Sequence, residues 1–199
     1  MSLMEEVMSN KSAESLITED PRPKTLVTPE SLLLVLTGDG KGKSSSAFGM
    51  MLRALAREWK VAVVQFVKSG NWNVGEEKMG RRLGVEWLTL GGGFTWESEN
   101  LDRDKTTAAD AWELASQLIH SGTYNLVILD ELTYLMTWKW LSPELVVETL
   151  TNRPRHVNVV VTGRDAPQEI VSVADTVSTV LNTKHAYEQG FKALRGVDY

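Results

Sequence analysis

The chain has 199 residues, 42% hydrophobic and 24% charged, enough to bury one substantial core and short for two independent ones. A net charge of -5 with pI near 5.3 argues against binding nucleic acid through its phosphates, which takes a basic face, and the absence of cysteine excludes disulfides, thiolate zinc sites, iron–sulfur clusters and thiol nucleophiles together. With no apolar run of about 18 residues and no basic-then-apolar leader, the expectation is a cytoplasmic protein that engages neither nucleic acid nor membrane.

Residues 1–30 are polar, carry Pro21, Pro23 and Pro29, and offer only a weak helical stripe in Leu3, Met4, Val7 and Met8. They read as a flexible N-terminal arm, either a loose chain end or a lid over a ligand. Residues 31–199 alternate short apolar runs with helical segments, the pattern of βα units in an α/β domain with a mainly parallel sheet covered by helices on both faces. Strands are expected at Leu32–Leu36, Val61–Val67, Val85–Leu90, Leu126–Leu129 and Val157–Val161, with a weaker pattern at Thr176–Leu181. Ala47, Met51, Leu52 and Leu55 give a helix after the first strand its apolar face, and Ala108, Trp112, Ala115 and Ile119 do so before the fourth. Pro143 and Pro167 mark the first turns of two further helices.

Between the first strand and its helix lies Thr37-Gly38-Asp39-Gly40-Lys41-Gly42-Lys43-Ser44, followed by Ser45. Alternating glycines permit positive φ and close backbone approach, successive N–H groups converge on an anion, and the helix N-terminus adds its positive dipole end. Lys43 supplies charge, and the Ser44 hydroxyl reaches a Mg²⁺ shared with phosphate oxygens. The usual phosphate loop has a glycine five residues before Gly42, where Thr37 stands. This loop is one residue short, so ordinary γ-phosphate hydrolysis does not follow from it.

The fourth strand runs into Asp130 and Glu131. Carboxylates at that edge suit a metal site facing Ser44, one holding the ion and the other a water or a supporting partner; which one touches the ion stays open. Arg164 follows the fifth strand and Arg53 lies on the helix after the loop; each is a phosphate contact or a plain surface charge. His120, His156 and His185 show no metal-ligand spacing. Gly91 to Asn100 places Phe94 and Trp96 on a glycine-hinged loop, fit either to cover a flat apolar ligand or to pack against a neighbouring loop or subunit.

The blocks GDGKGKSSS (38–46), VQFVK (64–68), GFTWE (93–97) and LDELTY (129–134), with TGR (162–164), ADTV (174–177), KHA (184–186) and GVDY (196–199) in the same order, resemble the P-loop corrinoid adenosyltransferases from about residue 32 to the end. The shortened glycine loop is also that family's form. The resemblance implies a P-loop, RecA-like sheet and an enzyme that moves the adenosyl group of ATP to the Co(I) of a cobalamin or corrinoid precursor, releasing tripolyphosphate. It further implies Mg²⁺, an electron donor such as reduced flavin or flavodoxin, and a homodimer. Lys43 then stabilises the departing phosphates, while Phe94 and Trp96 press on the corrin and exclude its lower axial ligand. The arm, without a clear match, is expected to close over the site. Two other readings stand beside this one: a phosphate-loop ATPase or kinase, favoured by Asp130 and Glu131, and a carrier that binds without turnover.

Overall fold

A computed structural model of the chain describes residues 23, 25–67, 75–90 and 101–198, with the backbone alone for 101–104. Most of the N-terminal arm (1–22 and 24), Lys68, Phe94, Trp96 and Tyr199 lie outside the described residues.

Six strands alternate with helices in chain order: β1 (Leu33–Thr37), α1 (Lys43–Leu55), β2 (Val61–Gln65), α2 (Gly75–Arg82), β3 (Glu86–Thr89), α3 (Leu101–His120), β4 (Leu126–Asp130), α4 (Thr133–Thr137), α5 (Pro143–Thr151), β5 (Asn158–Thr162), α6 (Gln168–Val173) and β6 (Thr176–Thr179). All pair in parallel, in the order β3-β2-β4-β5-β1-β6. This is the α/β architecture expected from the apolar runs, and each run is a strand to within a few residues.

Strand side chains alternate between the two faces, and β4 shows how the core divides. Leu126 and Ile128 pack with Ala47, Phe48, Met51 and Ala54 of α1, while Val127 and Leu129 pack with Ala111, Trp112, Ala115 and Ile119 of α3. With helices on both faces, all five residues of β2 and of β4 are buried, which is why these strands read as unbroken apolar runs. The edge strand β6 is exposed along its length, and its polar composition follows from that.

One expected face is corrected. Leu52 is 53% exposed, and Phe48 and Ala54 join Ala47 and Met51 in the core instead. Leu52 lies about 140° round the helix from Ala47, outside the buried stripe. Pro143 opens α5 behind the Ser142 cap, whose hydroxyl accepts from the Leu145 amide, whereas Pro167 immediately precedes α6. Among the described residues no helix is long and apolar enough to cross a membrane.

Candidate phosphate-binding and metal site

Because every strand points the same way, the turns after β1, β4 and β5 open on one edge of the sheet, where ligands of open α/β folds collect. β5 lies between β1 and β4, so the loop after β1, Glu131 after β4 and Arg164 after β5 are brought together. They line one cleft, with Asp39, Lys43, Ser44, Ser45, Glu131 and Arg164 among its walls.

The three loop glycines have different jobs. Gly42, the residue before α1, has φ 122°, and nothing lies within 4 Å of a Cβ built there; it is glycine for its backbone conformation. A Cβ on Gly40 would stand 2.4 Å from the Leu181 carbonyl oxygen, and one on Gly38 2.5 Å from that of Val180. The segment after β6 lies against the loop at both, which alone accounts for Gly40, while Gly38, with φ 96°, is glycine for its backbone conformation as well. The Gly40 N–H donates to the Val180 carbonyl at 2.8 Å, so it does not converge on an anion as the sequence pattern suggests. The start of α1 has no side-chain cap and no acidic residue in its first turn. An α-helix leaves its first N–H groups unpaired, and these carry the positive end of its dipole.

Lys43 turns back and donates from Nζ to the Gly40 carbonyl at 2.7 Å. Burial, and then the Arg164 guanidinium, push its pKa below the usual lysine value, against the opposing pull of Asp39, Glu131 and Asp130. Arg164 Nε stands 3.8 Å from Asp39 Oδ1. Lys43 and Arg164 thus stand close enough to repel, in a cleft whose walls also carry Asp39, Glu76, Glu131 and Asp198, and a phosphate chain between the two cations would relieve that repulsion.

The two carboxylates at the end of β4 differ in kind. Asp130 is fully buried: its Oδ2 accepts from Gln65 Nε2 at 2.9 Å and its Oδ1 from Thr162 Oγ1 at 2.8 Å. Gln65 in turn accepts from Trp87 Nε1 at 3.0 Å. Glu131, with φ 64°, lines the cleft beside Ser44. One carboxylate and one hydroxyl are the hard oxygen donors that Mg²⁺ takes from a protein when phosphates and waters complete its shell. Among the described residues no three or more acidic, histidine or cysteine side chains are grouped so that they could hold a metal ion, so an all-protein cage is not what this donor set would form. Arg53 is not brought to the cleft: it is exposed in the last turn of α1, ten residues and about 15 Å of helix beyond Lys43.

The cleft also contains residues that the sequence did not single out, among them Glu76, Tyr134, His185 and Asp198. Tyr134 stacks on Trp138 with ring centroids 5.2 Å apart, and burial raises its pKa. His185 Nδ1 accepts from the Tyr187 amide at 3.1 Å. Asp198 pairs with Lys41 at 2.8 Å and accepts from the Leu194 amide at 2.6 Å. The signal for Tyr134 was its place one turn after Glu131; His185 and Asp198 lie in the KHA and GVDY blocks, far along the chain from the loop they meet.

A glycine loop opening an uncapped helix at the C-terminal edge of a parallel sheet, facing a carboxylate and an arginine from neighbouring strands, defines a phosphate-loop α/β protein. Residues 29–199 match the family model described as ATP:corrinoid adenosyltransferase BtuR/CobO/CobP. The chain is 44% identical over 170 residues to a corrinoid adenosyltransferase of Pseudomonas aeruginosa, covering 84% of this chain and 83% of that one. It is 38% identical over 180 residues to the corrinoid adenosyltransferase of Escherichia coli strain K12 and to the corrinoid adenosyltransferase CobA of Salmonella typhimurium, covering 90% of this chain and 91% of each. The chain belongs to the ATP:corrinoid adenosyltransferase family.

Proposed function

We propose that this chain transfers the 5′-deoxyadenosyl group of ATP to the Co(I) of a corrinoid and releases tripolyphosphate, in the synthesis or salvage of an adenosylated corrinoid. The observation that carries the reading is the meeting of Lys43, Ser44, Glu131 and Arg164 around one uncapped helix N-terminus in a chain of this family. The corrinoid substrate brings its own nucleophile: the cobalt electron pair forms the Co–C5′ bond, the C5′–O bond breaks, and its electrons leave on the tripolyphosphate. The protein then has to hold the phosphate chain, stabilise the charge that grows on it and keep water out.

Lys43, freed from the Gly40 carbonyl, and the amides at the start of α1 would take the phosphate oxygens, with Arg164 on the opposite wall. Ser44 and Glu131 would hold Mg²⁺, with Asp130 supporting from behind; bound there, the ion would offset charge on the departing phosphates. Phe94 and Trp96 would press on the corrin face, and the N-terminal arm would close over the site. A reduced flavin or flavodoxin as electron donor, a homodimer and a cytoplasmic setting complete the reading.

The test is an anaerobic assay with ATP, Mg²⁺ and chemically reduced cobalamin, following loss of the Co(I) spectrum and appearance of a light-sensitive alkylcobalamin and tripolyphosphate. Both products, dependent on Lys43, are expected. ATP binding with neither product would overturn the reading in favour of a carrier, and phosphate release without corrinoid in favour of an ATPase.

A further inference from the structure

Glu131 and Arg164 reach the cleft from adjacent parallel strands, and two threonine hydroxyls tie each one's turn to the other's. Thr162, the last residue of β5, is fully buried. Its Oγ1 donates to Asp130 Oδ1 at 2.8 Å and accepts from the Glu131 backbone N–H at 3.0 Å. Thr133, the first residue of α4 and equally buried, donates from Oγ1 to the Arg164 carbonyl at 2.5 Å. The turn after β4 is therefore held from β5, and the turn after β5 is held from α4.

Both turns need holding. Glu131 has φ 64° and Asp165 φ 49°, left-handed conformations that cost a side-chain-bearing residue free energy and persist where surrounding contacts impose them. Gly163, φ 141°, has no room for a side chain, since a Cβ there would meet Thr133 Oγ1 at 2.0 Å. A hydroxyl has one proton to donate, and Thr162 gives its proton to a carboxylate that Gln65 fixes on the other side. That leaves the oxygen lone pairs directed at the Glu131 amide. Strand packing alone would accept valine at position 162, so the hydroxyl is explained by what it orients.

We propose that Thr162 and Thr133 are positioning residues, which set the separation of Glu131 and Arg164 across the phosphate cleft and thereby its response to a divalent cation. This rests on the reading of the cleft as a Mg²⁺–ATP site.

The experiment is calorimetric ATP binding to the full chain, without corrinoid, in Mg²⁺ and again in EDTA, with thermal unfolding as a control. A folded wild-type chain that binds no ATP overturns the site reading and this proposal together, before any variant is made. With wild-type binding established, Thr162→Val is expected to lose roughly 10- to 100-fold of the Mg²⁺-dependent gain in affinity, as loss of a ligand-orienting partner does. Binding in EDTA should stay within about twofold, Thr162→Ser should restore the gain, and Thr162→Val should add little to Glu131→Gln, because both act on one group. A full Mg²⁺ gain in a folded Thr162→Val chain, a serine variant no better than valine, or additive losses would each overturn the role. If Thr162→Val does not fold, Thr133→Val decides through Arg164. It should weaken ATP binding about fivefold in EDTA and add little to Arg164→Ala, and wild-type binding there would overturn the proposal.

Discussion

Lys43 Nζ sits 2.7 Å from the Gly40 carbonyl oxygen, three residues back in the same loop, so the cation that would meet a phosphate chain is held in reserve by the loop itself. Exchange of that neutral acceptor for phosphate oxygens makes a charge-assisted bond, and Lys43→Ala should weaken ATP binding by roughly 1.5 to 3 kcal/mol, about 10- to 150-fold. Turnover should fall whichever corrinoid oxidation state is supplied; unchanged ATP affinity by calorimetry would remove Lys43 from the site.

The same lysine gives the site a pH dependence with a definite sign. Burial and Arg164 lower its pKa, so as pH rises its proton leaves the folded chain before it leaves the unfolded one. Its unfavourable contribution to stability is therefore present at neutral pH and is relieved between the lowered value and the ordinary lysine value of 10.5. ATP binding responds the opposite way, since the charge it uses is lost. ATP affinity should begin to fall at a pH below 10.5, and Lys43→Arg, which stays charged, should move that fall to higher pH. Identical profiles for the lysine and arginine chains would assign the titration to another group.

Gly40 and Gly42 should fail differently when a methyl group is added. In Gly40→Ala the new Cβ meets the Leu181 carbonyl, so the segment after β6 must shift from the loop, with a cost of roughly 1 to 3 kcal/mol in thermal or denaturant unfolding. Faster hydrogen exchange at the Val180 amide, which donates to the Thr37 carbonyl, should accompany it. In Gly42→Ala there is space but a φ of 122°, so the cost is conformational, and ATP binding should suffer while exchange at Val180 does not. Matching exchange patterns in the two variants would contradict this division.

Much of this architecture was legible in the residues. Strands β2 and β4 are apolar runs because helices cover both faces of the sheet, and the loop announced itself by three glycines and two lysines between a strand and a helix. What stayed hidden depends on distance in three dimensions. Gly38 and Gly40 look like phosphate-cradle glycines until the segment after β6, more than a hundred residues on, is seen to lie against them. Asp130 and Glu131 look equivalent side by side, yet Asp130, the last residue of β4, is buried against Gln65 and Thr162, while Glu131 leaves the strand at φ 64° and lines the cleft. Leu52 was plausible on helical spacing and Arg53 as a cation on the helix after the loop, and both turn outward because the buried stripe of α1 follows Ala47, Phe48, Met51 and Ala54.

If Trp96, carried over from the resemblance, excludes the lower axial ligand of the corrinoid, its loss should depend on the oxidation state supplied. Four-coordinate Co(II) is easier to reduce, so Trp96→Ala should slow turnover more when the assay starts from Co(II) and a mild reductant than when preformed Co(I) is given. A ratio of at least about tenfold between the two losses corresponds to some 1.4 kcal/mol of ligand exclusion. Equal losses in the two assays would remove the case for axial-ligand displacement by this ring.

The buried relay behind the site makes a prediction about stability. Trp87 Nε1 donates to Gln65 Oε1, and Gln65 Nε2 donates to Asp130 Oδ2, all away from solvent. Gln65→Leu keeps approximate size but leaves an indole N–H and a carboxylate oxygen without the partners they have now. Each such loss costs roughly 1 to 3 kcal/mol, and more at a charged group, so the denaturant midpoint should fall well beyond what a surface change produces. Gln65→Glu separates packing from hydrogen bonding: it retains an acceptor for Trp87 but, when ionised, sets a second carboxylate against Asp130. Its deficit should therefore grow as pH rises through the carboxylate range, because like charges this close cannot both ionise without cost. A Gln65→Leu midpoint no lower than a surface change produces, together with a pH-independent Gln65→Glu, would mean that the side chain serves only to fill space.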